Sequence, residues 1–316
     1  MEERRTDAEL LSAIRENVEK VIVAKGEVID LVLTALLCGG HILIEDVPGL
    51  GKTTLVSALA KTLDCSFQRI QFTPDVLPSD VTGFTMFNMK TGEKETHFGG
   101  IMSQIVLADE INRTSPKTQS SLLEVMQEGQ VTIDGVTYPV PRPFMVLATQ
   151  NPVELTGTYP LPEAQLDRFL MKISVGYPSR EEELSILARN RAESPLKGLR
   201  PVATAQDILD LQERARKVTC TQPILEYVVS IAEQTRRHEF ITLGVSPRGS
   251  IALLSASMAY ALLRGRDFVL PDDVQRLTVP VLAHRLVLSA QAGFKNKTPE
   301  SVLRELLGAL PVPAVK

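Results

Sequence analysis

HILIEDVPGLGKT, from His41 to Thr53, combines three local signals that together settle how the chain begins to fold. The apolar, β-branched run HILIE reads as a buried strand. A loop with two glycines follows it, and TTLVSALAKTL behind the loop has helical spacing. A loop that wraps a phosphate must turn several backbone N–H groups toward one point. Gly49 and Gly51 permit that course, and the start of a helix adds further donors and the positive end of its dipole. Lys52 is then placed to neutralise the β- and γ-phosphates of a nucleotide, and the Thr53 hydroxyl to hold Mg²⁺. Val47, Pro48, Leu50 and Thr54 complete the loop. Asp46 stands where the usual pattern has glycine, a departure outweighed by the strand–loop–helix context. The bland alternative is a Gly-Pro turn before an ordinary helix, and that same context argues against it.

Further along, IVLADEIN is an apolar run ending in two acids. At a strand's carboxyl end Asp109 can bind Mg²⁺ and Glu110 can polarise an attacking water. Alone, paired acids at a strand end are commonplace; beside a phosphate loop they form a hydrolytic set. A third strand, FMVLAT, delivers Gln150-Asn151-Pro152, where the Asn151 amide can meet a γ-phosphate or the water. By itself Asn-Pro is simply a turn. Two arginines complete the candidates. Arg168 lies in PEAQLDRFL. Arg248 follows Ser246 and Pro247, an N-cap and a first helical residue, so its charge sits at a helix N-terminus. That position disfavours a cation by roughly 0.3–1 kcal/mol unless an anion is near. The plain alternative for either is a surface arginine.

Up to Gly176, strand patterns alternate with helical ones: His41 to Glu45, Phe67 to Phe72, Gln104 to Ala108, Phe144 to Thr149 and Lys172 to Val175. Such alternation predicts a parallel sheet flanked by helices. Thr82 to Phe98, with Thr91-Gly92 at its turn, and Gln130 to Val140, with Asp134-Gly135, read as inserted hairpins. After GYPSREEE the chain turns helical. Ser179 caps the first helix, and Ala205 to Val218, Pro223 to Arg237, Pro247 to Arg264, Pro271 to Leu288 and Pro299 to Leu307 follow. The expected organisation is an α/β domain over 1–176 and a small all-α lid over 177–316.

Bulk composition narrows the class. Hydrophobic residues at 44% and charged residues at 23% belong to a globular chain. No apolar run has membrane-spanning length, and the acidic start MEERRTDAE does not read as a secretory signal, so a cytoplasmic setting is expected. Cys38, Cys65 and Cys220 are too scattered for a disulfide framework, and Cys38 with His41 lacks the second pair a metal site needs. A net charge of −4 argues against a nucleic-acid module.

The order of these features resembles the AAA+ superfamily, and the wording resembles its MoxR branch. TPDVLPSDVTGF, LADEINRTSPKTQSSLLEVMQEGQVTIDG, ATQNPVELTGTYPLPEAQLDRFLM and GVSPRG carry the resemblance across most of the chain. It implies ATP and Mg²⁺ as ligands, with Lys52 and Thr53 as Walker A residues and Asp109 and Glu110 as Walker B residues. It makes Asn151 sensor 1, Arg168 an arginine finger reaching a neighbour's ATP, and Arg248 sensor 2, acting on its own or a neighbour's nucleotide. Ile22 and Val23 fall where relatives pack adenine, although Ala24 and Lys25 replace a common Gly-Gln. Gly100 stands where relatives often have proline. The resemblance further implies a hairpin inserted into the second helix, a ring, usually a hexamer, and chaperone-like assembly or metal-insertion work on partner proteins. Those partners often contain a von Willebrand factor A domain. A DNA-dependent motor and a metal-chelatase subunit are the alternatives. Lys90 and Lys94 at the first hairpin tip are offset by Glu93 and Glu95, which does not favour DNA.

Overall fold

The computed structural model describes residues 5–23, 25–152, 157–189 and 195–314. Its strands are β1 (Ile42–Glu45), β2 (Phe67–Gln71), β3 (Gly83–Asn88), β4 (Glu93–Phe98), β5 (Ile105–Asp109), β6 (Gln130–Ile133), β7 (Val136–Pro139), β8 (Met145–Gln150), β9 (Met171–Ile173), β10 (Ile241–Leu243) and β11 (Val287–Leu288). The helices are α1 (Asp7–Glu19), α2 (Gly26–Cys38), α3 (Lys52–Thr62), α4 (Pro78–Thr82), α5 (Pro116–Glu128), α6 (Glu163–Leu166) and α7 (Arg180–Arg189). They continue with α8 (Ala205–Ala215), α9 (Gln222–Arg237), α10 (Pro247–Leu263), α11 (Pro271–Leu282), α12 (Ala290–Phe294) and α13 (Pro299–Ala309).

The five strands expected from the sequence form one parallel sheet, in the order β2-β5-β8-β1-β9. Side chains alternate across it. Ile42, Ile44, Leu107 and Leu147 join the core on one face, while Leu43, Val106, Ala108 and Val146 join the core on the other. Burial on both faces is why these strands read as continuous apolar runs. Only their carboxyl ends escape: Glu45, Asp109 and Gln150 are the partly exposed last residues of β1, β5 and β8. The first core continues through α2 into the lid, where Leu211, Ile224, Leu253 and Val302 share it.

Both hairpins form. Asp134 and Gly135 take φ of 47° and 82°, the two left-handed positions that a two-residue turn between twisted strands requires. The first hairpin instead turns through a longer loop, in which Asn88 Oδ1 accepts from the N–H groups of Lys90 and Thr91. It follows the single turn of α4 and leads by an irregular path into β5, so no helix resumes behind it. Its neck has no room for side chains: a Cβ on Gly99 would lie 2.2 Å from the Val81 carbonyl oxygen, and one on Gly83 2.4 Å from that of His97. Gly100 donates its N–H to the Asp80 carbonyl at 3.3 Å, a bond that proline could not make.

Ser179 and Glu182 cap α7 reciprocally. The helix expected to run to Leu288 stops at Leu282. Beyond one 3₁₀ turn, Val287 and Leu288 pair antiparallel with β10, and this tertiary pairing overrides local helical preference. The lid is therefore helical apart from one short ribbon. No described helix is long and apolar enough to cross a membrane.

His41 and Cys38 hold structure rather than metal. Val146 N–H donates to His41 Nδ1 at 3.0 Å, so the proton sits on Nε2, which faces the Met126 carbonyl oxygen at 3.0 Å. Cys38 Sγ donates to the Ser255 carbonyl, and burial lifts its pKa to about 12. Burial pushes His41 down to about 4, and burial together with the adjacent Arg285 pushes His284 down to about 3. Both imidazoles are thus folded in their neutral forms. The unfolded chain binds protons first, near the ordinary value of 6.5, so stability is full above that pH and declines as pH falls toward 4. We expect the urea midpoint to drop across this window. His41→Gln should be less stable at neutral pH yet lose stability less steeply between pH 6.5 and 4. An unchanged slope would mean that His41 does not set it.

Candidate functional site

The carboxyl edge of the sheet carries the site. Gly49 and Gly51, with φ of 87° and 79°, bend the loop after β1 around one point. Gly51 is the N-cap of α3 and offers no side chain to it. The first intrahelical bond runs from Leu55 N–H to the Gly51 carbonyl, which leaves the N–H groups of Lys52, Thr53 and Thr54 without helical partners. A cavity of about 300 Å³ opens there, lined by Lys52 and Thr53 from α3, Asp109 at the end of β5 and Glu110 just after it, and Asn151 after β8. The structure therefore brings the phosphate loop, the paired acids and Asn151 together, as the sequence spacing predicted.

Thr149 organises the acids. Its hydroxyl donates to Asp109 Oδ1 at 2.6 Å and accepts from the Glu110 N–H at 2.9 Å. Glu110 adopts a left-handed φ of 58°, which costs a non-glycine residue roughly 1–3 kcal/mol. Its Oε2 accepts from Gln71 Nε2 at 2.9 Å and Arg113 Nη1 at 3.0 Å. Gln71, Arg113 and Thr149 were not singled out from the sequence. The usable signal was positional: Gln71 ends the strand that pairs with IVLAD, directly opposite Asp109.

Two carboxylates and a hydroxyl are hard oxygen donors of the kind Mg²⁺ accepts, and they are too few to enclose it. Among the described residues no group of three or more His, Cys, Asp or Glu side chains could hold an ion alone. The chemistry of the set fits Mg²⁺ shared with phosphate and water.

Asp46, the departure from the glycine pattern, is buried and fully engaged. Its carboxylate accepts from Ser174 Oγ at 2.8 Å, from Gly176 N–H at 3.3 Å and from Val175 N–H. Its carbonyl accepts from Lys52 Nζ at 2.9 Å. One residue thus ties the phosphate loop to the segment that leads into the lid. Beside the loop lies a second cavity of about 230 Å³, lined by Ile22, Val23, Leu50, Val175, Pro178 and Ile186, apolar and of a kind to take a flat base. Lys25 at its rim donates to the Tyr177 carbonyl at 3.1 Å.

The chain matches the ATPase family associated with various cellular activities (AAA) over residues 41–171 and the AAA lid domain over 233–306. It is 54% identical to the uncharacterized protein YeaC of Bacillus subtilis, across 96% of this chain and 95% of that one. It is 42% identical to Chaperone MoxR1 of Mycobacterium tuberculosis, across 94% of this chain and 81% of that one. The chain belongs to the MoxR family of AAA+ ATPases. A crystal structure from Cytophaga hutchinsonii, provisionally described as an ATPase, superposes with a TM-score of 0.91 at 39% identity, covering 98% of this chain and 96% of that one. ATP hydrolysis is the activity of this family.

The two candidate arginines lie apart from both cavities of this MoxR-family chain. Arg168 donates through Nη1 to the Leu123 carbonyl at 2.8 Å. Arg248, half exposed at the start of α10, faces Asp167 at 3.7 Å. That carboxylate supplies the anion which a cation at a helix N-terminus calls for. Asp167 also accepts from Arg285 Nε at 2.8 Å, and Arg285 Nη2 donates to the Phe169 carbonyl at 2.9 Å. Arg285, hidden in what reads locally as helix, thus joins the lid to the segment bearing Arg168.

Removing the Asp46 carboxylate would strand three donors. Asp46→Ala should cost about 2 kcal/mol in urea unfolding, and Asp46→Asn less. An unchanged midpoint in the alanine variant would mean that these bonds hold nothing.

Proposed function

We propose that the chain is an Mg²⁺-dependent ATP motor that works as a ring and remodels partner proteins. The observation that carries this reading is a division of the site. Lys52, Thr53, Asp109, Glu110 and Asn151 converge on one cavity, whereas Arg168, bonded to the Leu123 carbonyl, and Arg248, facing Asp167, lie outside it. A cavity without Arg168 and Arg248, and two arginines set outside it, are complementary parts that adjacent copies would join.

In this reading the free N–H groups of the first turn of α3, with Lys52, hold the phosphates. Ile22 and Val23 take the base. Bound Mg²⁺ would offset phosphate charge from Thr53 and Asp109. Glu110, freed from Gln71 and Arg113, polarises the attacking water, and Asn151 orients it. Arg168 and Arg248 stabilise charge developing on the neighbouring subunit's γ-phosphate. The unit that binds nucleotide spans 1–176 and the lid 177–316, joined at the segment that Asp46 holds.

A hexamer, a client protein and a partner with a von Willebrand factor A domain complete the proposal, in a cytoplasmic setting. The hairpin tips support protein over DNA as the client. Met89, 91% exposed, and Phe87, 60% exposed, crown the first tip, and the second carries Asp134. Apolar surface of this kind suits contact with another polypeptide.

Turnover per subunit should rise steeply with protein concentration until the ring forms. Glu110→Gln should bind ATP and hydrolyse it about a hundredfold more slowly or worse. Equal rates in that variant and wild type would sink the mechanism. Arg168→Ala should bind nucleotide normally while losing on the order of 10³ in rate. Mixing it with Lys52→Ala should restore some activity at mixed interfaces, and a proven monomer with full activity would remove the shared-site reading.

A further inference from the structure

Asp109 meets a cation of its own chain. Arg69 Nη2 lies 2.6 Å and Nε 3.2 Å from Asp109 Oδ2. The same Nη2 donates at 2.6 Å to Gln71 Oε1. Arg69 and Gln71 are alternate residues of β2 and therefore share one side of that strand, the side that faces the cavity with Lys52 and Thr53. The geometry is specific: a planar guanidinium lies against one carboxylate oxygen through two of its N–H groups and is steadied from the side by an amide.

An Arg69 guanidinium and a divalent cation cannot both be the principal counter-charge of one carboxylate oxygen. The Arg69 side chain is 47% exposed while that of Asp109 is 14% exposed, so the arginine can swing away and the carboxylate stays. Polyphosphate in the same cavity offers the displaced guanidinium a new planar partner. From this geometry we infer that Arg69, steadied by Gln71, is the resident counter-ion of Asp109 and competes with the divalent cation that enters with the nucleotide. Arg69 is then a positioning residue that keeps Asp109 oriented and guarded between turnovers. The inference rests on Asp109 being the carboxylate that meets the metal.

Mn²⁺ titrated to millimolar levels into the full chain without nucleotide, where the few protein donors and water hold it weakly, with free Mn²⁺ read by electron paramagnetic resonance, tests the competition. Arg69→Ala should bind Mn²⁺ roughly two- to fivefold more tightly than wild type, the span expected for a partly exposed ion pair. Adding Asp109→Asn should erase that gain. Gln71→Leu should tighten binding by a smaller factor in the wild-type background and by less still in Arg69→Ala, where only its bond to Glu110 remains to be lost. A damaged fold would weaken binding, not tighten it, and Arg69→Gln serves if the alanine variant does not fold. Equal or undetectable Mn²⁺ binding in Arg69→Ala and wild type overturns the inference. An equal gain from Gln71→Leu in both backgrounds overturns the part played by Gln71. The underlying reading fails separately: Asp109→Asn alone would then retain full Mg²⁺-dependent hydrolysis.

Discussion

The central strands of the parallel sheet are buried on both faces and have only their ends to offer to water, and much of this molecule follows from that constraint. Alternating side chains of β1, β5 and β8 fill two separate cores, so polar groups gather where the strands stop. Because the strands are parallel, those stops share one edge. Asp109, Glu110 and Asn151 come from strands far apart in sequence yet reach a single cavity beside Lys52. A ligand crevice at the carboxyl edge is the general outcome for open α/β sheets.

Within that edge, order is imposed by small polar residues between the charged ones. The Thr149 hydroxyl serves Asp109 and the Glu110 backbone at once, and Glu110 holds a strained conformation that this contact helps define. Asp46 plays a comparable part for the phosphate loop, with a carboxylate directed at the chain leading into the lid. Loop and lid therefore share a buried charge, so the glycine usual at that position would give up the link.

The sequence made much of this legible. All five sheet strands fall within a residue or two of expectation, because apolar or alternating runs bounded by turn residues carry a strong signal. The phosphate loop and the paired acids were equally plain, since each sits at a strand end with a fixed local spacing. What escaped notice depends on distant pairing. Arg69 meets a carboxylate 40 residues on, and Arg285 one 118 residues back, so no local periodicity marks either. The end of α11 was misplaced for the same reason: the pairing of Val287 and Leu288 with β10 is invisible in their own neighbourhood.

Asp167 has a consequence beyond its hydrogen bonds. It faces two guanidinium ions, Arg248 and Arg285, with a single negative charge. Arg168 beside it is satisfied by a neutral carbonyl. Among these four groups three cations stand against one anion. An approaching polyanion feels this attraction before any contact forms, within the roughly 8–10 Å that physiological salt allows. The reach of these guanidinium charges therefore depends on the ionic strength around them.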